Sequence, residues 1–363
     1  LNGADYIIID GSNAGGTDRS LTITNTNNAA ATAAIWVSST GVGAGATNNI
    51  IKNVNLSCGV TQSTSSSTTF GIIENGAISI TNTTPQQDND NNTYQNNAIT
   101  KVRYGIFTTG ESSANQNQNT IISNNLIGPS AFGVNEIGKG GIVISNLNAG
   151  TISGNEVRFV GGDLANMISG TDRAGITIGT DASWTPTSAA VSNTSIVRNS
   201  IHDIVEELTF SAVGIISGSS SSPSSNIIAN NMIYNVRADG TSGDQAVGIG
   251  ISAGNGDKIV YNTVSMTGDL DPGASTTASV SAAGIRIAST TPTNLTVANN
   301  IVSVDVTSNT STLKHYAYVA PSLYAFGTGF TNYNDLYINA ANTQMVLGGI
   351  GTSVPYTDKT TLA

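Results

Sequence analysis

A glycine followed by an Ile-x-Ile phrase, or a close variant of it, returns along this chain at a nearly fixed interval. Its copies begin at Gly71-Ile72, Gly105-Ile106, Gly141-Ile142, Gly175-Ile176, Gly214-Ile215, Gly248-Ile249 and Gly284-Ile285, with spacings of 34, 36, 34, 39, 34 and 36 residues. Ala34-Ile35-Trp36-Val37 fits the same phrase one repeat earlier. A period of this length marks a solenoid, in which each repeat buries its apolar side chains only against its neighbours.

A second phrase identifies which solenoid. An apolar pair, one residue, Asn-Asn and another apolar pair appear as Ile121-Ile122-Ser123-Asn124-Asn125-Leu126-Ile127 and as Ile227-Ile228-Ala229-Asn230-Asn231-Met232-Ile233. Looser copies place Asn97, Asn155, Asn199, Asn262, Asn300 and Asn334 at the second Asn position, and Val54 occupies it in the earliest full repeat. Each repeat thus offers three short apolar strands, with a two-residue Asn turn between the second and third. Asn accepts left-handed backbone angles. Its carboxamide both donates and accepts, so copies stacked about 4.8 Å apart can bond along the stack. Leucine-rich and helical repeats need an amphipathic stretch of about ten residues, and none is present. The expectation is an all-β, right-handed parallel β-helix of about nine coils with an asparagine ladder, over residues 1–337. Residues 338–363 are expected to form a closing segment packed on it.

Composition agrees with this architecture and excludes several partners. Charged residues are 10% of the chain, against about 25% in ordinary soluble proteins, while Ile, Val and Thr are regularly placed. The net charge is −10 with 13 basic residues in all. A nucleic-acid binder needs clustered Lys and Arg to displace counterions, and an anionic membrane surface asks for the same. Cys58 stands alone, so an intramolecular disulfide is excluded and a small buried hydrophobe is expected at the end of a strand. The apolar clusters are far shorter than the roughly 20 residues of a membrane span. With Leu1 first and no leader visible, the chain reads as a segment of a longer multidomain precursor.

The ends carry a resemblance. Asn2-Gly3-Ala4-Asp5-Tyr6-Ile7-Ile8-Ile9-Asp10-Gly11, together with Tyr333-Asn334-Asp335-Leu336-Tyr337, Gly348-Gly349 and the stretch from Tyr356 to Leu362, resembles the opening and closing phrases of right-handed parallel β-helix domains in large secreted and surface proteins of Bacteroidetes-type bacteria. The resemblance implies export and an extracellular or cell-surface location. It implies no particular activity.

Several residues are candidates for chemistry. Fold resemblance to polysaccharide-degrading β-helix enzymes implies a cleft over the Gly-Ile strand, whose outward row here is Ile73, Phe107, Val143, Thr177, Ile216, Gly250 and Arg286. Hydrolysis needs two carboxylates about 5–10 Å apart, and a lyase needs a base with a cation, so this row argues against an enzyme. As an exposed apolar row it suggests contact with another surface. The loops entering the strand supply Asp163, Asp172, Asp203, Glu206, Glu207, Asp239, Asp244, Asp269 and Asp271, expected along one edge. Such an edge suits Ca²⁺, which takes six to eight oxygens, and Asp203, Glu207, Asp269 and Asp271 are the proposed ligands. Asp203, Glu206 and Glu207 are the catalytic candidates should there be catalysis. Trp184, Phe107 and Asp239 are the candidates for ligand binding, Trp184 by stacking on a sugar ring or else by packing its loop.

His202 and His315 form no familiar triad spacing, and Asp88-Asn89-Asp90-Asn91-Asn92 reads as a polar turn because the Gly and final Glu of a calcium loop are missing. The aromatics between His315 and Tyr337 read as an end-cap, with a lectin-like platform as the alternative. The functional expectation is a non-enzymatic structural or adhesive module, with polysaccharide or another surface protein as partner. Ca²⁺ is the one ion weighed, and no cofactor is required. The rival is a polysaccharide lyase or glycoside hydrolase using the loop carboxylates.

Overall fold

The computed structural model describes residues 1–27, 31–59, 68–81, 88–133, 135–162, 170–180, 189–241, 243–272, 280–309, 312–322 and 324–361. The described residues form strands, turns and loops, with no helix that could cross a membrane. Three long parallel sheets wind into a β-solenoid, and a short three-stranded one of Asn117–Gln118, Leu147–Asn148 and Val191–Ser192 lies beside them. One runs through ten strands from Ile8–Asp10 to Phe330–Asn332 and carries the Ile-Ile pairs. A second holds the strands after the Asn turn, from Leu21–Asn25 to Asp335–Ile338. The third holds the Gly-Ile strands, from Thr32–Val37 to Met345–Ile350.

Register follows the sequence period. Ile35, Ile72, Ile106, Ile142, Ile176, Ile215, Ile249 and Ile285 are successive partners in one buried column, which Tyr318 continues. Opposite them, Leu56, Ile99, Ile127, Val157, Ile201, Ile233, Val264 and Val302 line the second wall.

The glycine column has a steric cause. A Cβ on Gly214 would stand 2.4 Å from the Ile233 side chain and 2.6 Å from the Gly248 carbonyl, and one on Gly105 would meet Ile127 and the Gly141 carbonyl at 2.5 Å. The chain turns its corner into the Gly-Ile sheet so closely against the neighbouring wall that a side chain cannot fit.

The asparagine ladder is continuous. Carboxamide donates to carboxamide from Asn97 through Asn125, Asn155, Asn199, Asn231, Asn262 and Asn300 to Asn334, at 2.9–3.1 Å. Each main-chain N–H also donates to the next Asn side chain, and Val54 uses its own N–H toward Asn97 at 3.1 Å. The residue before each ladder position takes the left-handed conformation, with φ of 55° at Asn124 and 56° at Asn230. Arg198 and Tyr261 do the same at 57° and 59°, where the tight corner outweighs the usual cost.

A second corner of this kind precedes the Ile-Ile strands and has no counterpart in the sequence reading. Asn48, Asn91, Asn119, Asn193 and Asn294 have φ between 50° and 61°. The residues that follow form a broken ladder, in which Asn49 donates to Asn92 at 3.1 Å and Thr194 to Asn226 at 3.0 Å. Asp257 closes it by accepting from Asn226 and Ser224. Asp88, Asn89 and Asp90 accept from main-chain N–H groups of Gly43, Ala46 and Gln118, so their stretch is the polar turn expected.

The ends differ. Ile8 and Leu21 on the first rung are solvent-exposed. At the other end Met345–Ile350 adds one more parallel strand to the Gly-Ile sheet, and Thr357–Lys359 folds back antiparallel upon it. The other two sheets stop at Phe330–Asn332 and Asp335–Ile338, leaving a cup of about 750 Å³.

Candidate functional site

The outward face of the Gly-Ile sheet is not the exposed apolar row expected from the sequence. Ile73 and Ile216 are fully buried, and Phe107, Thr177 and Arg286 nearly so. A break in strand alternation at each glycine explains the difference. Gly214 and Ile215 both face the interior, so Val213 and Ile216 share the outer face, and the two apolar rows make a second core layer. At one end Phe70, Tyr104 and Phe107 pack together, with Phe70 stacked on Tyr104 at 5.3 Å and Phe107 edge-on to both. Toward the other end, Ala174, Val213, Ile216, Val247 and Ala283 are joined by Tyr316 and Tyr356. The returning C-terminal segment covers this layer: Tyr356 donates to Gln245 at 2.9 Å, and Arg286 donates to the Thr352 carbonyl at 2.9 Å. Between the two clusters lies a cavity of about 180 Å³, lined by Tyr104, Phe107, Val143, Thr177 and Lys139. Phe107, predicted to touch a ligand, therefore stands in a pocket wall rather than on an open surface.

The acidic residues do not make one strip. Asp203 and Glu206 lie within the strand Ser200–Glu206 rather than in a loop. Glu206 is fully buried and paired with Arg173 at 3.3 Å, and it also accepts from the N–H groups of Leu208 and Thr171. Burial raises its pKa, with Arg173 opposing the shift. Glu207 pairs with Arg237 at 3.6 Å. Both arginines thus pair with glutamates. Asp239 is only 5% exposed, and its N–H donates to the Glu206 carbonyl.

Asp203 takes a left-handed φ of 53° at a corner, accepts from Asn235 and lies 2.6 Å from His202 Nδ1. The other His202 nitrogen is 3.4 Å from Glu156, which also holds Arg158, and the imidazole stacks on Tyr234 at 4.5 Å. This is a densely bonded polar cluster on the outer wall of the second sheet.

Asp269 and Asp271 are brought together, the Asp271 N–H donating to Asp269 at 3.2 Å, while Asn309 and Ser308 donate to the pair. Desolvation and the neighbouring Asp271 raise the Asp269 pKa. No group of three or more His, Cys, Asp or Glu positioned to hold a metal occurs among the described residues. Of the four proposed calcium ligands, only Asp269 and Asp271 are shown in contact. Asp163 and Trp184 lie outside the described residues.

Elsewhere, Ser211 bridges two carboxylates. Its N–H donates to Asp172 at 3.0 Å and its hydroxyl to Asp244 at 2.8 Å. Burial raises the Asp244 pKa.

No protein-family model and no curated protein sequence matches the chain. Solved structures that superpose on it include the Dettilon tailspike protein, at 13% identity and a TM-score of 0.44, over 94% of this chain and 63% of that one. A periplasmic alginate epimerase superposes at 12% identity and a TM-score of 0.44, over 92% of this chain and 69% of that one. A DFA-IIIase from Arthrobacter chlorophenolicus does so at 14% and 0.42, over 96% and 86%. The chain spans less than two thirds of the tailspike's length. None of these likenesses assigns a role to a residue here.

Sequence reading placed no titratable group inside the solenoid. Glu74 occupies an inward position of a Gly-Ile strand, accepts from Tyr94 and Asn117, and has its pKa pushed up to about 8 by burial. Asp257 is pushed up to about 6 and His315 down to about 4, both by burial. Cys58 is buried with its thiol on the Phe70 carbonyl, in the small-hydrophobe role expected of it. A signal for Glu74 exists in the sequence, because it breaks the Ile-x-Ile phrase at its second Ile.

Proposed function

We propose that this chain is a non-enzymatic structural or adhesive module of an exported surface protein: a stiff rod that binds glycan without cleaving it. One observation carries the reading. The face over the Gly-Ile sheet is occupied by the protein's own apolar layer and C-terminal segment, so the described residues leave no groove there with an acid and a base facing one bond. Catalysis needs such groups preorganised around the reacting atoms. The predicted catalytic carboxylate Glu206 is spent on Arg173 and two N–H donors. Residence outside the cell and membership in a longer chain belong to the same proposal. Ca²⁺ enters it as a structural ion on Asp269 and Asp271.

The rival reading, a polysaccharide hydrolase, rests on the two carboxylates that Ser211 brings together, Asp172 and Asp244. One experiment separates them. The purified chain, with and without Ca²⁺, is incubated with pectin, alginate, xylan and host glycans while reducing ends and unsaturated products are measured. Binding without product is expected. Product formation that disappears in Asp244→Asn, with the melting midpoint unchanged, establishes the enzyme instead.

A further inference from the structure

The corner that precedes the asparagine ladder demands a left-handed residue on each rung. Asn96, Asn124, Asn230 and Asn299 fill it with φ between 50° and 56°, and Gly154 with 66°. On two rungs the residue is tyrosine, Tyr261 at 59° and Tyr333 at 55°. Asn and Gly reach this conformation at low cost, whereas a bulky side chain does not. Packing gives little in return, because Tyr261 is 58% exposed and Tyr333 74% exposed. Two rings are thus held out from the corner where the fold itself is better served by Asn.

The two tyrosines stand on one line along the solenoid. Val260, Ala298 and Asn332 are successive partners in the first sheet, and Tyr261, Asn299 and Tyr333 follow them directly. The N–H groups of Tyr261 and Asn299 donate to the Ala298 and Asn332 carbonyls at 3.3 Å, so these residues turn the corner alike. At one inter-strand step per rung, the two tyrosines lie about 10 Å apart, with the exposed Asn299 midway. On the second-sheet side of the corner, Ile301 stands next but one to Asn299, and Met232 lies two rungs earlier in its row. Both are exposed.

We propose that this corner binds an extended, neutral β-1,4-linked pyranose chain lying along the solenoid axis. Each ring of such a chain advances by close to one rung and is turned over relative to the ring before it. Every second ring therefore offers the same face at the spacing of Tyr261 and Tyr333. The apolar C–H faces of those two rings pack on the tyrosines. The Asn299 carboxamide, which both donates and accepts, bonds hydroxyls of the ring between them, and Ile301 flanks that ring. Chains with α-1,4 or β-1,3 links coil and lose this register. The exposed carboxylate of Asp335, next but one to Tyr333, disfavours a polyuronate. The proposal rests on the adhesive reading and names its glycan.

The test is calorimetric titration with cellohexaose and mannohexaose, against maltohexaose and laminarihexaose, with pectin and alginate oligomers alongside. At least one of the two β-1,4-linked chains is expected to bind, and more tightly than maltohexaose or laminarihexaose. Cellobiose and mannobiose, too short to reach both tyrosines, should bind more weakly than their hexamers. Tyr261→Asn and Tyr333→Asn install the residue that other rungs use. Each should weaken binding roughly tenfold and leave the melting midpoint unchanged or raised. A lowered midpoint with binding intact shows that the tyrosines serve the fold, and overturns the proposal. Binding of pectin or alginate without the β-1,4-linked hexamers overturns the corner assignment and leaves the adhesive reading standing. Failure of every sugar counts against both. Self-association that both variants abolish makes the corner a protein interface and overturns the carbohydrate assignment.

Discussion

Tyr94 donates its phenolic proton to Glu74 across 2.5 Å inside the solenoid, both side chains being fully removed from water. Burial lifts Glu74 from an ordinary 4.5 to about 8 in the folded chain. Because the folded pKa is the higher one, this group's contribution to stability is complete below about pH 4.5. It declines as pH rises and is lost above about pH 8. A tenfold change in proton affinity is worth about 1.4 kcal/mol, so the chemical-denaturation free energy should fall by a few kcal/mol over that range. Glu74→Gln should flatten the profile above about pH 6, leaving below it the combined effect of Asp257, which acts in the same sense, and His315, which acts in the opposite one. An unchanged slope in the variant removes Glu74 as its source.

Asn231 accepts from the Asn199 side chain and N–H and donates to Asn262 and the Ile196 carbonyl. Asn231→Leu leaves those groups unpaired in a buried corner and should cost about 1–3 kcal/mol. The denaturant midpoint measures it; an unshifted midpoint shows that water replaces the ladder there.

Gly214→Ala should destabilise by about 1–3 kcal/mol or more, because its Cβ meets Ile233 and the Gly248 carbonyl. A Cβ added at Gly133 would meet nothing within 4 Å, and its φ is not left-handed, so Gly133→Ala should be nearly neutral. Equal midpoints for the two variants contradict the steric account of the column.

Glu206→Gln leaves the Arg173 guanidinium buried without its carboxylate partner, and should cost about 3–5 kcal/mol with no effect on glycan binding. Wild-type stability together with lost binding makes Glu206 a ligand-contacting residue instead.

The coils were legible because stacking imposes the same steric demand on every rung. The inward isoleucines, the excluded side chain at Gly214 and the carboxamide at Asn231 repeat at one spacing in sequence as in space. The second corner was harder to see because Asn, Thr, Gly and Asp all serve after its left-handed residue: Asn226, Thr194, Gly150 and Asp257 occupy equivalent places. The outward row was misjudged for a different reason. Alternation gives the direction of Ile216 but not what lies on it, and Tyr356 reaches Gln245 from 111 residues away. The cup left no periodic trace at all, since it exists where the repetition stops.

The three sheets separate a rung's height from its contour length. Successive Gly-Ile phrases are 34 to 39 residues apart, yet every rung advances by one inter-strand step of about 4.8 Å. Extra residues are taken up sideways in the loops and add nothing along the axis. A lineage carrying this fold can therefore lengthen a loop without moving the two ends relative to each other. Duplicating one repeat would change their separation by a single quantum of that size.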